Sequence, residues 1–210
     1  MVGKGTGTAM TMGTRMALAT RIRTAMTDGA RSPQALLQLM WLASPALPVG
    51  GFSYSDALEA AVDAGLVHDE ASAATWLGDQ LRLVQQRSEL PLLAAALDAW
   101  RRHDRERVLA LNEWSTCTRE SAEFRQQAAQ MGRSLADWLR QRGTTDEDDD
   151  PRTAWLAALR PAPTWTLAFA LAAARSGAPA ADALLAFGFS WAENAVQAAI
   201  KAVPLGQSAG

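Results

Sequence analysis

The sequence is poor in the residues that hold metals tightly. Of its 210 residues one is cysteine, Cys117, and two are histidine, His68 and His103. A lone thiol has no partner for an intramolecular disulfide and suits a reducing compartment. A thiolate or imidazole cage for a resident metal needs more ligands than these three supply. An excess of one charge is missing too: 20 basic and 22 acidic residues leave a formal charge of −2. No strong field therefore draws the chain to nucleic acid or to an anionic membrane. No apolar run reaches the length of a membrane span, and residues 184–189 are bounded by Asp182 and Glu193. Signatures of nucleotide binding and of hydrolase chemistry are absent as well. Gly3-Lys4-Gly5-Thr6 lacks the spacing of a phosphate loop, and no Gly-x-Ser-x-Gly elbow occurs. These absences predict a cytoplasmic protein that binds neither nucleic acid nor membrane, carries no cofactor and is not itself an enzyme.

What is present is helical periodicity. At 210 residues the chain has room for one domain with a full core. Residues 1–31, rich in Arg, Gly, Thr and Met, read as a flexible leader, and 32–210 as the folded part. Ser32 followed by Pro33 starts a helix that carries Leu36, Leu37, Met40 and Trp41 and ends near Ala43. The stretch "ASPALPVGGFSYSDALEAAVDAG", residues 43–65, then interrupts the pattern with two prolines and two glycines. Ser53 and Asp56 resemble a capping box for a second helix, 54–64, with Gly65 as its stop. Asp69 starts a third helix, and Glu89-Leu90-Pro91 marks a break before the stripe Leu92, Leu93, Ala96, Leu97 and Trp100. Asp104 caps a long stretch reaching Gly143, with an interruption near Ser115. A polar connector, 144–150, precedes a short helix around 155–159 and two further helices, 164–175 and 179–203. No alternating strand pattern and no fixed repeat is found. The expected class is all-α, a single compact array of roughly eight to ten helices.

Several stretches invite a chemical reading. The run "DEDDD", 146–150, could hold Mg²⁺ in a helical enzyme through Asp146, Asp148 and Asp149, or be a solvated loop; without helical periodicity, the loop is expected. Cys117 reads as a small buried residue on a helix rather than a reactive thiol. In the last helix Phe187, Trp191, Ala195 and Ala198 share one face, while Glu193, Gln197 and Lys201 form a polar ridge. Small residues at Ala192, Ala195, Ala198, Ala199 and Ala202 allow another helix to approach closely.

Four segments together, "LLQLMWLASPALPVGGFSYSDALEAAVDAG", "TRESAEFR", "QMGRSL" and "FSWAENAVQAAIKAVPLGQ", closely resemble the urease accessory protein F (UreF) family in order and spacing along 36–207. The resemblance implies an all-α, usually dimeric protein without intrinsic catalysis. It would join urease accessory proteins D (H in some organisms) and G on apo-urease, where G is the GTPase that carries nickel. The F protein is thought to couple the GTP state of G to nickel release into urease. Matched to the family's motifs are Phe52, Ser53, Tyr54, Ser55 and Glu59 in the first segment, and Arg119, Glu120, Glu123 and Arg133 in the middle ones. Glu193, Lys201, Pro204, Gly206 and Gln207 match in the last. These imply partner-binding positions, and Lys201 resembles the basic position implicated in control of the GTPase. Family members continue beyond the Pro-Leu-Gly-Gln stretch with a tail that helps bind protein D, so a C-terminal tail is expected to be missing here. The segment "PTWTLAFALAAA" departs from the family by lacking a His-Pro and a Gly. Alternatives from other classes are the Mg²⁺-dependent helical enzyme and a helical adaptor for an unrelated partner.

Overall fold

Residues 165–176, "WTLAFALAAARS", are apolar on every side, and a helix of that kind is stable only where other helices enclose it. The computed structural model describes residues 32–50, 57–142 and 150–203. Met1–Ser32 and Pro33–Gly210 form two units. Among the described residues of the second are nine α-helices, one π-helical segment and no strand, so the all-α expectation holds. In chain order they are α1 (Pro33–Ala43), α2 (Leu58–Asp63), α3 (Glu70–Gln80), the π segment (Leu81–Glu89), α4 (Leu90–Arg101), α5 (Arg105–Cys117), α6 (Ala122–Arg142), α7 (Pro151–Ala158), α8 (Trp165–Ser176) and α9 (Ala180–Ala202).

Helix α8 is the axis of the array. Every residue from Thr166 to Ala173 is buried, and α4 and α6 flank it most extensively, with α1, α7, α5 and α9 completing the enclosure. Leu93, Leu97, Leu135, Leu156, Leu167, Phe169 and Leu171 are almost fully excluded from water. Each such side chain contributes about 2 kcal/mol of transfer free energy. Trp100 anchors α4 to this axis, its indole N–H donating to the Leu167 carbonyl at 3.0 Å. A smaller apolar cluster joins α2, α3 and the end of α9 through Leu58, Ala61, Val67, Ala73, Ala199 and Val203. Helix α9 therefore contributes to both clusters, with Ala183 and Phe187 in the larger one.

Several helix boundaries follow the local signals. Helix α1 starts at Pro33 and ends at Ala43. Asp69 caps α3 in a reciprocal box with Ser72, and Asp104 caps α5 by accepting from the Arg107 N–H. Gly65, at φ 72°, lets the chain leave α2 with the Gly65 N–H bonded to the Val62 carbonyl and the Leu66 N–H to that of Ala61. Other expectations are corrected. The described part of the second helix begins at Leu58, and the Ser53 and Asp56 box lies outside the described residues. Ser115 lies buried inside α5, and the interruption comes later, at 118–121. Cys117 is exposed at the end of α5 rather than buried, because α5 presents Val108, Leu111, Asn112 and Ser115 to the core. The short helix α7 starts at Pro151, four residues earlier than expected, because Asp150 caps it.

The break expected at Glu89-Leu90-Pro91 is a change of register without a turn. From α3 the helix continues through the π segment into α4. Across this stretch the Leu90 N–H bonds five residues back, to the Gln85 carbonyl. Pro91, which has no N–H to give, falls in the first turn of α4. The wider π turn thus absorbs the proline and sets polar Gln85 and Glu89, both buried, on the inward side.

Gly132 of the "QMGRSL" segment has a packing role. A Cβ there would lie 2.0 Å from the Pro163 carbonyl oxygen, so α6 rests directly on the strand of backbone entering α8. Asn112 holds the same backbone, donating to the carbonyls of Pro161 and Ala162 and accepting from the Thr164 N–H. Gly132→Ala is therefore expected to lower stability by about 3 kcal/mol, read by urea denaturation; a loss within experimental error would show that α6 is free to move away.

Asp150 joins α7 to α8. Its carboxylate meets the Arg152 guanidinium at 2.6 Å and that of Arg175 at 3.6 Å. Burial opposes its ionisation, but the hydrogen bonds and charge of Arg152, with the charge of Arg175, outweigh this and hold the carboxyl below its ordinary value. The sign follows: the stabilisation is fully present above the unfolded-state value of about 4 and is lost as pH falls through the lower folded-state value. Asp150→Asn should cost about 2 kcal/mol at neutral pH and flatten the acid limb of a stability-against-pH curve; an unchanged limb would remove the assignment.

Candidate functional site

Glu89 is a carboxylate largely withdrawn from water, 6% exposed at the end of the π segment. A buried carboxylate persists as an ion only if charge and hydrogen bonds replace its hydration. Arg119, in the turn after α5, supplies both: its two terminal nitrogens meet the two Glu89 oxygens at 2.8 and 3.1 Å. Thr166, in the first turn of α8, donates its hydroxyl to Glu89 at 2.6 Å. The pair thus ties the π segment, the turn between α5 and α6, and the central helix to one point.

Beside this pair opens a cleft of about 330 Å³. Its walls come from α3 and the π segment (Trp76, Gln80, Val84, Gln85), from the α5–α6 turn and α6 (Glu120, Phe124, Met131), and from α8 and α9 (Trp165, Phe187, Trp191, Asn194). Trp165 stacks near Phe187, with ring centroids 6.5 Å apart, and Phe169 meets Phe187 edge-on at 5.1 Å, which fixes this wall. Two polar atoms in the lining have no hydrogen-bond partner, Gln85 Oε1 and Arg119 Nε.

The positions singled out from the sequence fall in different places. Arg119 and Glu120 line the cleft, whereas Glu59, Arg133, Glu193 and Lys201 do not. Glu59 is exposed on α2, Arg133 is exposed on α6, Glu193 is half-buried on α9, and Lys201 is exposed in the last turn of α9. Phe52, Ser53, Tyr54, Ser55, Pro204, Gly206 and Gln207 lie outside the described residues, as do Asp146, Asp148 and Asp149. The fifth residue of the acidic run, Asp150, is committed to Arg152 and Arg175. Among the described residues no group of three or more His, Cys, Asp or Glu side chains is placed to hold a metal ion. No described helix is long and apolar enough to cross a membrane.

The middle motif "TRESAEFR" builds the turn that delivers Arg119. Ser121 Oγ accepts from the Phe124 N–H at 3.2 Å and starts α6. Glu123 is held below the usual carboxylate range by hydrogen bonds from its own N–H and from the Ser121 hydroxyl. Arg125 donates to the Arg119 carbonyl at 3.1 Å, closing the turn. Sequence reasoning missed Gln85 and Glu89, which it passed over as the approach to a proline. The available signal was two polar residues four apart on the side where Leu92 and Leu93 continue the buried stripe.

Breaking the pair from one side strands a buried charge. Arg119→Met is expected to cost about 3 to 5 kcal/mol, and the double change Glu89→Leu with Arg119→Met to recover most of it. Chemical denaturation of Arg119→Met, Glu89→Leu and the double variant measures the coupling, and additive losses would mean that the two charges do not support each other.

The geometry can be set beside known proteins. The UreF family model matches residues 67–210, which span α3 to the chain end and include the whole cleft apart from Ala57. The urease accessory protein UreF of Methylibium petroleiphilum is 62% identical over 175 residues, covering 83% of this chain and 73% of the relative. That of Paracidovorax citrulli is 59% identical over 188 residues, covering 87% and 74%. A bifunctional urease accessory protein UreEF of Bordetella bronchiseptica is 46% identical over 193 residues, covering 92% of this chain and 44% of the relative. With more than half its length matched by the family model and such relatives beside it, the chain belongs to the UreF family of urease accessory proteins.

Proposed function

We propose that the chain acts in urease maturation as a non-catalytic scaffold. In this reading it joins accessory proteins D (H) and G on apo-urease and couples GTP hydrolysis by G to nickel insertion. Nickel is cargo passing between other proteins. The observation that carries the reading is family membership across 67–210, with relatives named as urease accessory proteins, one of them 62% identical. The fused UreEF relative supports work beside other accessory proteins, since its name joins two of them in one chain.

Surface character supports docking as the mode of action. Leu36, Leu37, Met40 and Trp41 of α1 and Leu185 and Phe189 of α9 are large apolar side chains between 44% and 70% exposed, and the two helices pack on each other. Apolar surface of this kind suits contact with protein, whether a second copy of this chain or an accessory partner. Lys201, exposed in the last turn of α9, offers a point charge to a carboxylate or phosphate of a partner. The cytoplasm, where urease and its GTPase would be found, is the proposed place of work.

Co-purification of the full chain with proteins D and G is expected to yield a ternary complex, and its absence would overturn the scaffold reading. Lys201→Ala should leave stability within about 0.5 kcal/mol of the parent while altering GTP consumed per activated urease site. Unchanged nickel occupancy and unchanged GTP consumption in a reconstituted activation would remove Lys201 from that role.

A further inference from the structure

The two hydrophobic clusters of the described residues share no member. The larger surrounds α8. The smaller is made of Leu58 and Ala61 of α2, Val67 of the connection, Ala73 of α3, and Ala199 and Val203 from the end of α9. Helices α2 and α3 thus place their buried side chains against the last turns of α9, and none of these side chains belongs to the core around α8. Their hold is thin. Ala73 is the one buried residue of α3, and Leu58 and Ala61 are those of α2, whereas α8 buries eight in a row. A segment with so few buried apolar side chains opens at a lower free energy than the body it rests on.

Two features define where such an opening parts the structure. On one side α3 passes into α4 through the nine residues of the π segment, Leu81–Glu89. Helices bend at π turns, and a π turn within a long helix frequently marks a working position. The far end of the segment is fixed, because Arg119 and Thr166 clamp Glu89, so bending moves the α3 end. On the other side lies the cleft of about 330 Å³, lined by Trp76, Gln80 and Val84 from α3 and the π segment and by Trp165, Phe187 and Trp191 from α8 and α9. Packed interiors have few spaces of that size, and walls that already stand apart have little dispersion energy to lose on separating further.

We propose that α2 and α3, residues 58–80, form a lid that opens as one piece about the π segment while the core around α8 stays folded. Opening lifts Leu58, Ala61 and Ala73 off Ala199 and Val203 and widens the cleft by carrying the Trp76 wall away from Phe187 and Trp191. The π segment has a purpose in this arrangement: it joins a lid to a core without a loop, and the Glu89–Arg119 pair keeps the pivot from passing into α4.

The test is native-state hydrogen exchange of the full-length protein, read peptide by peptide in water and in urea below the main unfolding transition. Amides of 58–80 are expected to exchange at least about tenfold faster than those of 90–101 and 165–176, with protection stepping up inside 81–89. Val67, 1% exposed between α2 and α3, supplies the second arm. Val67→Ala removes two buried methyl groups' worth of apolar contact and should lower protection by about tenfold across α2 and α3 together, leaving 90–101 and 165–176 unchanged. Exchange of 58–80 at the rate of 90–101 in the parent protein would overturn the proposal. So would a loss of protection spread equally over all helices in Val67→Ala, or one confined to α2, or a step in protection outside 81–89. Because exchange is read on the isolated chain, failure of the urease assembly proposed above would leave these outcomes unaffected.

Discussion

Enclosure of α8 is the constraint from which the rest of the molecule takes its arrangement. A helix with no polar face gains nothing from water on any side, so the favourable state is the one in which α1, α4, α5, α6, α7 and α9 surround it. The close approach this requires is visible where α6 lies on the backbone of Pro163 and Thr164 with no room for a side chain at Gly132. It also requires that the few polar groups at the start of α8 be satisfied from neighbouring helices. Asn112 takes the Thr164 N–H, Ser115 meets the Thr164 hydroxyl at 3.2 Å, and Glu89 takes the Thr166 hydroxyl.

The paired charges of Glu89 and Arg119 follow from that enclosure. Once Thr166 faces outward from the first turn of α8, an acceptor is needed opposite it, and Glu89 provides one. An ionised Glu89 in turn needs a cation, which Arg119 brings on a turn built by Ser121, Glu123 and Arg125. A buried pair of this kind is weak evidence for stability, since the cost of desolvating both ions nearly offsets their attraction. Its value is positional: it fixes one wall of the cleft, and a wall held by two ionic hydrogen bonds and one hydroxyl presents neighbouring groups in a defined place.

Membership of the UreF family and the geometry of the surface are consistent with a protein whose action is exerted on others. Exposed apolar side chains on α1 and α9, the cleft beside Glu89 and Arg119, and a lysine at the end of α9 are three separate features of the surface. They lie on elements that pack on each other or on the same core, α1 on α9, α9 on α2 and α3, and the cleft on α9 again. Helix α9 therefore touches every one of these places, and a contact made along it would be felt by both hydrophobic clusters. Rigid helices joined through one shared element are a physical basis for passing a binding event from one surface to another.

The all-α class, most helix starts and the buried faces of α4 and α9 were legible in the residues themselves, because caps such as Asp69 and Asp104, the Gly65 stop and the spacing of Leu92, Leu93, Ala96, Leu97 and Trp100 act within one or two turns. The order of four short segments was likewise enough to place the chain in its family. What tertiary structure alone decided concerns residues distant in sequence. Pro91 looked like an end because a proline breaks an α-helix, yet the chain stays helical through it and the π register absorbs the missing N–H. Cys117 looked buried because cysteine usually is, yet the face α5 turns inward is set by Val108, Leu111 and Asn112. The meeting of Glu89, Arg119 and Thr166, separated by 30 and 77 positions along the chain, has no local signature. Hydrophobic periodicity states which face of a helix is covered, and only the packing of helix on helix states which polar group will be found waiting there.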